Sequence, residues 1–151
     1  MSQPRLTYDA FARIAPVAQQ SLISMGRQAD ESGIDKQIIE LVKLRVSQLN
    51  NCAFCLQIHL NVSRKLGLPQ EKLDLVATWE EAGIFSEREC AALAWAETLT
   101  RLVGHSVPDA AYEAVRRHFS EEEVTFLSVS IATINAWNRL GAAFRFAPPI
   151  L

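Results

Sequence analysis

Residues 40–67 read ELVKLRVSQLNNCAFCLQIHLNVSRKLG, and the fold turns on how this run divides. Apolar residues recur at helical spacing up to Leu49, Asn50-Asn51 breaks the pattern, and a second helical run follows. Two helices joined by a tight turn are predicted. Asn is a favoured N-cap because its side-chain oxygen accepts a hydrogen bond from a free N–H of the first turn, so Asn51 is the predicted cap. Gly67, with Pro69 shortly after, predicts the end of the second helix. Cys52 and Cys55 then fall in or near the first turn, where unpaired N–H groups and the helix dipole favour a thiolate. At roughly 100° per residue, Cys52, Cys55 and His59 share one stripe. Cys55 and His59, four residues apart, have Cβ atoms roughly 5–6 Å apart, so the imidazole can act as a base for the thiol. Cys52 and Cys55 can close a disulfide if the first turn adjusts, an arrangement suited to redox cycling.

Outward from this run the chain reads as helix almost throughout. Phe11, Ile14, Ala15, Ala18, Leu22 and Met25 recur every three or four residues, and Pro16 predicts a kink or two shorter helices. Asp35 is the predicted cap of the helix carrying Glu40. On that helix Lys36, Glu40, Lys43 and Ser47 make a polar stripe, whose plain reading is a solvated face. A short helix from Pro69 passes Trp79. Ser86 with Glu89, and Ser120 with Glu123, are capping boxes opening two further helices. Gly104 is the predicted close of the first of these, and a short helix carries Tyr112, Val115 and Phe119. The last helix, Glu121 to about Phe144, is apolar nearly all round, which predicts a central position. The whole of 1–151 reads as one all-α domain of about six to eight helices, with its chemistry in 35–67.

Composition narrows the function. Fifteen basic and seventeen acidic residues leave a net charge of −2, which gives no footprint for nucleic acid. No run of apolar residues approaches the ~18 of a membrane span, and the N-terminal residues lack the apolar core of a signal peptide. Three cysteines are too few for a secreted disulfide scaffold, so a cytoplasmic protein with no membrane association is expected.

A CxxC alone is read in several ways. A thioredoxin-like redox pair wants strands, which this chain does not suggest. A structural zinc site wants four ligands, and Cys52, Cys55 and His59 offer three spread along one helix, so no metal is expected. Cys90 reads as a structural thiol, and His105 and His118 as surface groups. Asn135 and Asn138, within the apolar last helix, read as satisfying buried polar groups or bridging subunits.

The combined spacing is more specific. Glu40, twelve residues before Cys52, then Cys52-x-x-Cys55 and His59, resembles the core of the alkyl hydroperoxidase D (AhpD) and carboxymuconolactone decarboxylase family. FSERECAALAWAETLTRL and IATINAWNRLGAAFR are similar to the later helices of its single-domain, peroxidase-related members. The resemblance implies an all-helical homo-oligomer, a trimer or hexamer. By position it makes Cys52 and Cys55 the redox pair and Glu40 and His59 the proton relay of a peroxidase. It implies no bound cofactor, a peroxide substrate, and an external dithiol donor of the lipoyl or dihydrolipoamide kind. The decarboxylase branch lacks the CxxC, so the chain groups with the redox branch. It departs from the best-studied members at Phe54, where they carry a further His. Other thiol–disulfide oxidoreductase activity, a decarboxylase-like reaction and a non-catalytic binding role remain as alternatives.

Overall fold

The computed structural model describes residues 3–150, and among them the secondary structure is entirely helical. The helices are α1 (Tyr8–Ile14), α2 (Pro16–Asp30), α3 (Lys36–Leu49), α4 (Ala53–Lys65), α5 (Gln70–Leu75), α6 (Trp79–Ala82), α7 (Glu87–Thr100), α8 (Asp109–Arg116) and α9 (Glu121–Phe144). A 3-10 turn, Val76–Thr78, joins α5 to α6 without a gap, so the described chain has eight helical segments. Pro16 divides the first helical run as its missing N–H requires, and serves as the first residue of α2. Both capping boxes form, at Ser86–Glu89 and at Ser120–Glu123. α7 ends at Thr100, earlier than Gly104 predicts; Gly104 instead takes a left-handed φ of 77° in the turn that follows.

α9 is the centre of the molecule and packs against α2, α3, α4, α7 and α8. Its apolar circumference serves this many neighbours. α3 is buried on nearly every side. Ile38, Ile39, Val42 and Val46 join α7, α8 and α9 in the larger core. Leu41 and Leu44 face the other way, into a smaller core with Leu68, Leu73, Val76 and Leu93. Burying each such side chain is worth about 1.5–3 kcal/mol relative to exposure. Fully buried Ala92 and Ala96 lie on α7, which packs against α3 with little side-chain bulk at those positions.

This burial corrects the reading of the polar stripe. Lys36 is exposed, but Glu40, Lys43 and Ser47 are buried. α4 and α9 pack on the face that carries them, and Asp30 at the end of α2 reaches Lys43, so the stripe is interior and its polar groups need partners inside the protein.

Candidate active site

The turn between α3 and α4 sets the geometry. Asn50 caps the end of α3, and its side-chain amide donates to Oδ1 of Asn135 and of Asn138, each at 2.9 Å. Asn138 donates onward to Oγ of Ser47 at 3.2 Å, which donates to the carbonyl of Lys43 at 2.8 Å. The two α9 asparagines thus anchor the turn. Asn51 is not the N-cap that its residue type suggests. It adopts a left-handed φ of 53°, a conformation Asn tolerates, and reverses the chain. The cap passes to Cys52, whose Sγ accepts from the N–H of Cys55 at 3.3 Å.

Cys52 and Cys55 are joined in a disulfide, with Cα atoms 5.4 Å apart. Both are buried. They press against α9 at Gly141, where an added Cβ would meet Sγ of Cys52 at 2.7 Å and Sγ of Cys55 at 3.4 Å. α9 therefore needs a glycine at this crossing.

One turn beyond Cys55, His59 Nδ1 lies 2.8 Å from Oε2 of Glu40. The other carboxylate oxygen, Oε1, accepts from Nζ of Lys43 at 3.0 Å, and Nζ also donates to Oδ1 of Asp30 at 2.8 Å. Burial works to raise the carboxyl pKa of Glu40. The hydrogen bond to His59 and the charges of His59 and Lys43 outweigh it and hold the group below its ordinary value. Burial likewise works to lower Lys43, but the charge of Glu40 and the bond to Asp30 prevail and raise it. An ionised Glu40 accepts a proton-bearing Nδ1, which leaves Nε2 of His59 as the nitrogen able to take a proton.

Cys55 and His59 line a cavity of about 610 Å³ between α2, α4 and α9. Its wall is largely apolar, with Leu22, Ile58, Ile134 and Trp137, and Lys43 and Asp30 also contribute. Cys52 lies behind Cys55, against α9. Phe54 lines the cavity and stacks on Tyr8, with ring centroids 5.5 Å apart. It packs edge-on against Phe146 at 5.3 Å, so this position carries an aromatic wall and no proton-transfer group.

All four residues singled out from the sequence, Glu40, Cys52, Cys55 and His59, thus come together. Lys43, Asp30 and Gly141 join them unannounced. The stripe spacing places Lys43 on the side of Glu40; Gly141 is one of several small residues of the last helix that permit close contact, but nothing local ties it or Asp30 to the site, since both arrive from other helices.

The profile of the carboxymuconolactone decarboxylase family matches residues 16–98, which carry Asp30, Glu40, Lys43, Cys52, Cys55 and His59. The chain belongs to the carboxymuconolactone decarboxylase family. The uncharacterised protein YdfG of Bacillus subtilis is 36% identical over 134 residues, 89% of this chain and 91% of its own. A crystal structure from Agrobacterium tumefaciens superposes with a TM-score of 0.91 at 35% identity, covering 99% of this chain and 100% of that one. Its function is unknown, and its suggested role is antioxidant defence as an AhpD protein. The debrominase Bmp8 shares the fold, with a TM-score of 0.79 at 18% identity over 89% of this chain and 73% of its own. With its CxxC, the chain is an AhpD-like member of the carboxymuconolactone decarboxylase family. Among its described residues no helix is long and apolar enough to cross a membrane.

Proposed function

We propose that this protein is a thiol-dependent peroxidase in which Cys55 attacks the peroxide and Cys52 resolves the product. The observation that carries the reading is the shared cavity wall. Cys55 and His59 line one cavity, and the imidazole is backed by a buried carboxylate. The AhpD-like relatives support an antioxidant role of this kind.

In the reduced protein His59, oriented by Glu40, takes the thiol proton of Cys55. The Cys55 thiolate attacks the terminal oxygen of ROOH, the O–O bond breaks, and the alcohol ROH leaves with the proton returned by His59. Cys55 is then a sulfenic acid. The thiol of Cys52 condenses with it, forming the S–S bond and releasing water. A dithiol donor of the dihydrolipoamide kind reduces the disulfide through a mixed disulfide and leaves as a cyclic disulfide. The sum is ROOH plus two thiols giving ROH, water and one disulfide, so electrons balance. Placement at the helix N-terminus assists, because free N–H groups there stabilise negative sulfur.

The test is a free-thiol count on the reduced protein before and after one equivalent of cumene hydroperoxide, followed by dihydrolipoamide. Loss of two thiols per chain and their return is expected. In Cys52→Ser, sulfenic acid should be trapped on Cys55; in Cys55→Ser, no sulfenic acid should form on Cys52. Turnover unchanged by either substitution would end the reading. Turnover of a disulfide oxidant without turnover of peroxide would make the protein a general thiol–disulfide oxidoreductase.

A further inference from the structure

Lys43 occupies a place where an ammonium is unfavourable. Its side chain is 9% exposed, at the wall of the cavity that holds Cys55 and His59. A buried cation persists only when its donors are matched, and an apolar side chain of similar length would fill the space with less desolvation. Here two of its three donors are met by carboxylates on two helices. Nζ bridges Oδ1 of Asp30 on α2 and Oε1 of Glu40 on α3, while Oε2 of Glu40 holds His59 on α4. Asp30, Lys43, Glu40 and His59 form one continuous chain of polar contacts across three helices.

We propose that Lys43, held by Asp30, is a positioning residue that keeps the Glu40–His59 pair free of an extra proton, so that His59 can accept one from Cys55. The inference rests on the peroxidase reading above. A buried carboxylate facing an imidazole with no other cation nearby would bind a second proton and form an ion pair. The pair would then have no base to offer. Lys43 supplies the compensating positive charge at the opposite oxygen, which both stabilises the bare carboxylate and opposes protonation of the ring. The groups that face the pair are few. α1 brings Tyr8, α2 brings Asp30 and Arg27, α3 brings Lys43, α4 brings Cys55, and α9 brings the uncharged Ser130 and Thr133 to the shared cavity. Arg27 is exposed, so its field is screened by solvent and salt. The balance therefore falls to Lys43 and, with the opposite sign, to Asp30.

The sign of each effect makes the test specific. The full-length reduced protein is mixed with cumene hydroperoxide between about pH 5 and 9, and the acid limb of disulfide formation is recorded. The imidazole resonance of His59 is followed by NMR over the same range without peroxide. In Lys43→Met, the acid limb and the imidazole transition should both move up by about one pH unit, because the pair holds its proton longer. In Lys43→Arg, which keeps the cation, both should stay within roughly 0.3 unit of wild type. In Asp30→Asn, both should move the other way by a few tenths, a small shift because the Asp30 side chain is 42% exposed. Lys43→Met and Asp30→Asn shifting in the same direction would overturn the proposal. So would a slower Lys43→Met protein with neither profile displaced, since that is the signature of packing alone. If the wild type fails to oxidise at any pH, the peroxidase reading falls, and the imidazole titration still decides the role of Lys43.

Discussion

Two side-chain contacts decide whether the proposed cycle turns. The first is the carboxylate of Glu40, whose oxygens are divided between His59 and Lys43. In Glu40→Gln the amide can place only one oxygen, so one of the two cannot be satisfied as before. If its NH₂ faces His59, the imidazole is offered a donor where it needs an acceptor. Peroxide-driven disulfide formation at neutral pH should fall by roughly 100-fold, within the usual worth of general base catalysis. Rapid-quench thiol counting measures it, and a rate within twofold of wild type would show that Glu40 has no part in the chemistry. The second contact is Gly141 against the sulfur of Cys52. An alanine Cβ would lie 2.7 Å from Sγ, too close for any ordinary contact, so the sulfur or α9 must shift. Cys55 faces the cavity and should still be oxidised, but condensation with a displaced Cys52 should slow. Gly141→Ala should therefore accumulate sulfenic acid, labelled by dimedone, where wild type does not. Equal labelling in the two proteins would mean that Cys52 tolerates the methyl group.

At the scale of elements, the α3–α4 turn holds the sulfurs where they are, and α9 holds the turn. Asn138 is fully buried, accepts from Asn50 and donates to Ser47. In Asn138→Ala, Ser47 loses its donor and Asn50 one acceptor, both in the interior. The cost should be about 1–3 kcal/mol, read from urea unfolding. Ser120→Ala should cost only about 1 kcal/mol, because it removes one cap from a helix that packing already holds. If the two substitutions cost the same, the asparagine network is not what fixes the turn. The helices themselves were legible, because capping boxes, proline positions and apolar spacing act within a few residues of one another. The cap of α4 was misread for a physical reason: Asn51 is used for a left-handed turn and Asn50 for a tertiary bond, so neither is free to cap. Periodicity also showed that Glu40, Lys43 and Ser47 share a face without showing what covers it. The covering helices α4 and α9, and the partner Asp30 from the end of α2, belong to contacts that no local pattern encodes. Helical spacing grouped Cys52, Cys55 and His59, whereas Glu40 joined them only through the resemblance of the joint spacing to the family, because its own face read as solvated.

On the scale of the whole molecule, two buried carboxylates each tie three helical elements together, and this gives stability a definite pH dependence. Glu40 joins α3 to α4 directly and to α2 through Lys43. Glu97 on α7 accepts from Nε of Arg45 on α3 at 2.6 Å and from Nε1 of Trp79 on α6 at 3.0 Å, and Arg101 lies 2.8 Å from its other oxygen. Burial works to raise Glu97, but the bonds from Trp79 and Arg45 outweigh it, so its pKa, like that of Glu40, lies below the ordinary value. A depressed folded-state pKa contributes stability that is present above the unfolded value, about 4.3 for Glu, and is lost as pH falls through the folded value. Lys43 has the opposite sign: its raised pKa contributes stability that is present below about 10.4 and lost as pH rises through the folded value. The melting temperature should therefore be nearly flat around neutrality and decline at the acid end. Glu97→Gln isolates one of these contributions without touching the cavity. At pH ~7 it removes a carboxylate that two arginines and an indole N–H all engage, and it should melt well below wild type. As pH falls below the ordinary carboxyl value and through the lowered folded-state value, the wild-type carboxylate takes up a proton and loses its charge, so the gap between the two proteins should narrow. Circular dichroism melts at constant ionic strength give both curves. A gap that stays constant over this range would mean that Glu97 stabilises the bundle through shape and hydrogen bonding, with no part played by its charge.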